Sequence, residues 1–145
     1  MAITTNAICN TFKKELLEAK HNFSNPGGNT FKLAMYTNSA TLGKSTTSFT
    51  TGNEVSSPSG YSSGGKALVN TGTSLATNTA ITDFAHLSFV GVTLTARGAL
   101  IYNDSATGDP GVAVLDFGGD KTATSGTFTI QFPAFTTSAA ILRIA

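Results

Sequence analysis

Charge is scarce in this sequence. Only 12% of its 145 residues are Asp, Glu, Lys or Arg, about half the share of an ordinary globular domain. The net charge is +1, and no basic cluster is denser than the pair Lys13-Lys14. A nucleic-acid groove needs a stripe of Lys and Arg to displace counterions, so no direct contact with DNA or RNA is expected. Cysteine is almost missing: Cys9 stands alone, which forbids an intrachain disulfide and a thiolate zinc site. Two histidines, His21 and His86, are too few for a His-rich metal centre. No apolar run approaches the ~18 residues of a membrane span. The opening Met1-Ala-Ile-Thr-Thr lacks the charged and apolar regions of a secretory signal. These absences predict a protein folded in a reducing cytoplasm, with no membrane partner, no metal and no cofactor.

Hydroxyls take the place of charge. The chain holds 24 Thr and 14 Ser; Thr favours strands and Ser favours turns, so the composition leans all-β. The length suits a single domain, 1–145, which at this size buries roughly 70% of its unfolded surface and needs no disulfide or metal to hold its core. Isolated soluble proteins usually keep a charged surface. A surface this poor in charge fits a protein that spends its life covered by neighbours.

One helix is legible, over residues 5–21. Ile8, Phe12, Leu16 and Ala19 fall on one stripe at helical spacing. Thr4 or Thr5 supplies a cap, Lys20 and His21 suit the negative end, and Lys14 and Glu18 form an i,i+4 pair. Asn25-Pro26-Gly27-Gly28 then stops it. This helix either packs on its own domain or serves as an arm that docks onto a neighbour.

Strands follow, over residues 30–145. Phe31, Leu33 and Met35 alternate inward along 31–37. Residues 38–65 are dominated by Ser, Thr, Gly and Asn; they predict a long surface loop, too polar for the core, with short strand pieces around Phe49 and Tyr61. Further strands are expected at 66–70, 80–84, 86–92, 94–103, 112–117, 127–132 and 140–144. Asn103 to Gly111 reads as a turn, Gly118-Gly119-Asp120 as the end of a strand, and Pro133 as another end. The last strand predicts a C-terminal stretch tied into a sheet. Seven or eight short strands mean a β-sandwich or barrel, with a jelly roll as the first choice of winding.

The motifs that would carry chemistry are weak. Gly60-Tyr61-Ser62-Ser63-Gly64 matches a nucleophile elbow, but a strand rather than a helix is expected after it, so a glycine turn is the reading for Ser62. Asp83 and His86 are close in sequence, yet a triad demands facing geometry that neighbours on a strand edge do not provide. Asp104, Asp109, Asp116 and Asp120 lie around two turns without the spacing of a calcium loop, and turn capping explains them. Gly43-Lys44-Ser45 resembles the end of a P-loop, but Asn38 stands where its first Gly is required. Arg97 interrupts an apolar strand and needs a carboxylate; Asp116 on the expected hairpin mate is the natural partner, with an interface anchor as the alternative role. Tyr36, Tyr61 and Tyr102 among Thr-rich faces offer a sugar-binding surface only if they cluster. No catalytic, cofactor-binding or metal-binding residue is therefore assigned, and the chain is expected not to be an enzyme.

Several segments together carry a resemblance. They are Ala2-Ile-Thr-Thr-Asn-Ala-Ile8 leading into Phe12-Lys-Lys-Glu-Leu-Leu17, Thr30-Phe-Lys-Leu-Ala-Met-Tyr-Thr37, Gly60-Tyr61 with Gly64-Gly65-Lys66-Ala67-Leu68, Ala96-Arg-Gly-Ala-Leu-Ile-Tyr-Asn103, Val114-Leu-Asp-Phe-Gly118 and Phe128-Thr-Ile-Gln-Phe-Pro133. In order and coverage the series resembles small structural proteins of tailed bacteriophages. The resemblance implies a virion component, assembled in the host cytoplasm, of the capsid cement or decoration kind: a β-sandwich that bridges major capsid subunits from outside. Its partners would be the major capsid protein, other virion proteins and further copies of itself. A tail, collar or fibre component and a carbohydrate-binding module are the alternatives. No contact residue transfers from the resemblance, because none of these motifs is a known binding motif.

Overall fold

A computed structural model describes residues 3–56 and 60–145. Residues 1–2, at the start of the opening segment, and 57–59, within the long polar loop, lie outside the described residues. The chain is mostly antiparallel sheet with one short helix, as its Thr and alternating apolar residues require. In chain order the elements are β1 (Ala7–Ile8), α1 (Asn10–Leu17), β2 (Phe31–Tyr36), β3 (Lys66–Ala67), β4 (Asn70–Ala76), β5 (Thr79–Phe84), β6 (Leu87–Asn103), β7 (Gly111–Ile130) and β8 (Leu142–Ile144). One sheet runs β1-β7-β6-β2-β3 and the other β4-β5-β8.

The helix is shorter than its apolar stripe predicts. Ile8, which fits that stripe, pairs with Ala113 as part of β1 instead. Cys9 in extended conformation caps the helix without a side-chain hydrogen bond, so neither Thr4 nor Thr5 does. Ala19 adopts φ 58, which ends the helix before Lys20 and His21. Here strand pairing overrode a period that both structures satisfy over so few residues.

The long strands depart from expectation in the opposite direction. The stretches 86–92 and 94–103 fuse into β6, and 112–117 and 127–132 fuse into β7, making a hairpin of 17 and 20 residues. Gly118-Gly119-Asp120 does not end a strand. Gly118 and Ser125 take φ 79 and 46, and the ladder shifts register near Val92 and between Ala96 and Gly98. Glycine signals that look like turns in the sequence are bulges here, which bend the ribbon and keep it paired. The turn between Asn103 and Gly111 is where the sequence places it. The expected strand 66–70 divides: Lys66 and Ala67 pair with β2, while Asn70 opens β4, a polar strand without a hydrophobic signal. The C-terminal strand is tied in, through pairing of β8 with β5.

Phenylalanines join the two sheets. Phe23 stacks on Phe31 of β2 at 4.3 Å between ring centroids. Phe31 meets Phe84 of β5 at 5.9 Å, and Phe84 meets Phe132 at 5.8 Å. Phe12 of α1 packs edge-on against Phe23. A chain of rings thus links the helix, the larger sheet and the smaller sheet through one core.

The described residues of the expected loop 38–65 contribute to that core, contrary to its polar composition. Ala40, Val55 and Tyr61 are buried, and isolated bridges pair Glu54 with Tyr36 and Ser48 with Pro110.

Candidate functional site

The residues singled out for chemistry are dispersed. Ser62 lies exposed in the turn before β3, where its carbonyl accepts the Gly65 amide; no described hydrogen bond joins it to a histidine. Asp83 is buried, and burial raises its pKa, opposed by the backbone amides of Phe84 and Ile141. His86 is exposed and its Nδ1 accepts the Phe132 amide at 2.9 Å. Asp104 pairs with Lys32 at 3.3 Å, and Asp120 accepts from Asn38 at 3.1 Å. Asp109 takes φ 48 and offers its carbonyl to Phe49. Among the described residues no three of His, Cys, Asp and Glu gather as a metal site would require. Gly43 and Thr46 close a small turn on each other, and the Lys44 carbonyl accepts the Asn10 amide at the start of α1. That segment fastens the start of the helix.

Arg97 and Asp116 do meet. Gly98 and Asp116 are register partners, and the bulge beside Gly98 brings the guanidinium onto the carboxylate. The Arg97 hydrogen bond, reinforced by the Gly118 amide, holds the Asp116 carboxyl below its usual range.

The three tyrosines do not form a sugar platform, because all are buried. Each hydroxyl is spent on the loops. Tyr36 donates to the Thr50 carbonyl at 2.6 Å, and Tyr102 to the Gly64 carbonyl at 2.6 Å. Tyr61 donates to Glu54 at 2.8 Å while accepting the Met35 amide at 2.9 Å. Glu54 also accepts from Ser63 and from the Gly64 amide. One carboxylate thereby clamps the 60–65 turn onto β2. Sequence reasoning missed Glu54; a lone acid in a long neutral loop, beside three tyrosines elsewhere, was the only signal.

A second buried network fixes the helix. The His21 side chain is fully buried, with Nε2 3.3 Å from Glu15 and Nδ1 3.1 Å from the Asn103 amide nitrogen. Asn103 Oδ1 accepts the Ser105 and Ala106 amides, which orients its nitrogen toward His21. That nitrogen can only donate, so Nδ1 accepts and Nε2 carries the proton toward Glu15. Burial pushes the His21 pKa down, against the pull of Glu15 and with the push of Lys20. Burial alone would raise Glu15, but bonds from Lys20 and His21 outweigh it and lower its pKa.

Other stretches of the surface carry no ionisable group. Along β6 and β7 the side chains of Thr93, Thr95, Thr122, Thr124, Thr127 and Thr129 are exposed. Thr95 and Thr122 bond across the strands at 2.8 Å, as Ser88 and Thr129 do at 2.9 Å. Val90 is 70% exposed beside them. This face is rich in hydroxyls, and no charged residue falls within 88–96 or 122–129. A trough of about 1160 Å³ follows the free side of β7, with Phe117, Phe128, Ile130, Phe132 and Ile141 in its walls. A smaller apolar hollow of about 330 Å³ lies between α1 and the sheet of β5 and β8. Among the described residues no helix is long and apolar enough to cross a membrane.

Comparison with protein families, curated proteins and solved structures finds no match for this chain.

Proposed function

We propose that this chain is a non-enzymatic structural protein of a tailed-phage particle, a capsid cement or decoration protein that binds and stabilises the major capsid shell. The observation that carries the reading is the Thr-rich face of β6 and β7, free of charged residues over 88–96 and 122–129, beside a trough lined by hydroxyl and aromatic side chains. Interface cores are depleted in charge and rich in aromatic and apolar groups, and such a face excludes water from a broad contact without burying unpaired ions. The bulged ribbon and the clamped loops supply rigidity, so little order has to be gained on binding. Further copies of the chain and other virion proteins are the natural partners, and the virion is the proposed location.

The finer architecture belongs to the same proposal. The two sheets form the layers of a β-sandwich, supported by the Phe23, Phe31, Phe84 and Phe132 stack between them. A jelly-roll winding is favoured by the last strand, which leaves β7 in one sheet and joins β5 in the other.

Heads assembled with and without the chain test the function. Capsid cement raises the temperature at which heads leak their genome; heads that leak at the same temperature either way would exclude it. A tail, collar or fibre part would show the same contact chemistry, and its copy number relative to the major capsid protein separates the two.

A further inference from the structure

The inner edge of β7 is paired with β6 along its length, but its outer edge carries β1 only at Ala113 and Val114. Among the described residues, no backbone hydrogen bond from outside these ladders reaches the strand between Gly118 and Ile130. The trough follows this edge: Thr127, Phe128, Thr129 and Ile130 line it consecutively, so both faces of the strand contribute. Its volume of about 1160 Å³ exceeds the roughly 300–1,000 Å³ of small-molecule sites. A row of open main-chain donors and acceptors beside walls of mixed hydroxyl and aromatic side chains calls for an extended polypeptide.

The edge itself indicates which one. Its sequence reads Thr122-Ala-Thr-Ser-Gly-Thr-Phe-Thr129, a palindrome in character about the Ser125–Gly126 midpoint. Ser125 in the left-handed region shifts the alternation by one residue, so Thr122 and Thr124 share the exposed face with Thr127 and Thr129. Ala123 and Phe128 share the other face, half-buried and buried. We propose that this edge docks a second copy of the chain, the two β7 strands pairing antiparallel about a two-fold axis between Ser125 and Gly126.

In that register Thr122 faces the second copy's Thr129, Thr124 faces Thr127, and Ala123 faces Phe128. Hydroxyl lies on hydroxyl and apolar on apolar, with the smallest side chains on the axis. No charged residue lies between 122 and 129, so no like charges are forced together, and the larger sheet runs continuously through both copies. A two-fold contact must be self-complementary, and this segment is. The inference deepens the assembly reading and rests on it.

Sedimentation equilibrium of the purified chain and two double variants tests the proposal. The wild type is expected at twice its 14.9 kDa mass. Thr124→Lys with Thr127→Lys sets lysine against lysine in both symmetry-related pairs and weakens the dimer roughly tenfold. Thr124→Glu with Thr127→Lys sets glutamate against lysine and keeps the dimer near wild-type strength. Both variants alter exposed side chains, and an unchanged far-ultraviolet circular dichroism spectrum controls for folding. A wild type that stays monomeric at its highest soluble concentration overturns the proposal, as do two variants that dissociate alike or not at all. A monomer that still binds capsid shells would sink the dimer and leave the assembly reading standing; a dimer that joins no particle would do the reverse.

Discussion

At the scale of single residues, the account concentrates on the clamp around β2. Gly65 takes φ 77, and a Cβ there would lie 1.8 Å from the Leu33 carbonyl oxygen. Gly65→Ala therefore combines left-handed strain with a backbone clash, and urea unfolding should show a loss of at least about 2 kcal/mol. Gly27, at φ 92 with nothing near its missing side chain, tolerates Ala at a cost of only about 1 kcal/mol; equal losses at both sites would refute the clash. Glu54→Ala removes the acceptor that serves the Tyr61 and Ser63 hydroxyls and the Gly64 amide. It should cost about 1–3 kcal/mol and expose the 60–65 turn to proteolysis, whereas unchanged stability and cleavage would show the clamp to be idle. Of these residues the sequence exposed little. Gly64-Gly65 announces a turn, but only the approach of β2 makes alanine intolerable at one glycine and acceptable at another. The Arg97–Asp116 pair was legible because an arginine in an apolar strand demands an acid at the matching height of its hairpin partner.

At the scale of elements, the docking of α1 should depend on pH. The folded pKa of His21 lies below its ordinary 6.5, so the unfolded chain takes up a proton that the folded chain resists. Stability is then complete above that value and falls as pH drops from about 6.5 toward the folded pKa. Protonating Nδ1 would also set two donors face to face at Asn103. Glu15 acts in a lower window: its folded pKa is below 4.5, so its contribution is present above that value and lost as pH falls through the folded pKa. Urea midpoints at pH 7.5, 6.5 and 5.5 should fall for the wild type and stay nearly flat for His21→Gln over the same range; parallel slopes would place the loss elsewhere. The elements also show where periodicity fails as a guide. Alternation is real only where one face is buried, over 87–96 of β6 and 127–130 of β7; residues 33–36, 98–103 and 111–114 are buried on both faces and showed as apolar runs. It divided β6 and β7 at their bulges, since glycine marks a bend and a turn with the same residue. It overlooked β4, whose Asn, Thr and Ser are held by pairing with β5 and a Thr82 hydroxyl bonded to the Gly72 carbonyl.

At the scale of the whole molecule, the sequence conveyed the class of fold and the shortage of charge, but not the surfaces. The hydroxyl face emerges only when Thr residues far apart in the chain, such as Thr95 and Thr122, are brought side by side. The trough emerges only when Phe132 and Ile141 come to lie opposite the edge of β7. Both lead to the central claim, that this body exists to be covered. Adding the purified chain to heads that lack it measures that claim most directly, by quantifying bound copies per shell together with the temperature of genome release. The account predicts saturation at a fixed ratio to the major capsid protein and release at a higher temperature. Heads that take up no chain, and release their genome at an unaltered temperature, would contradict it.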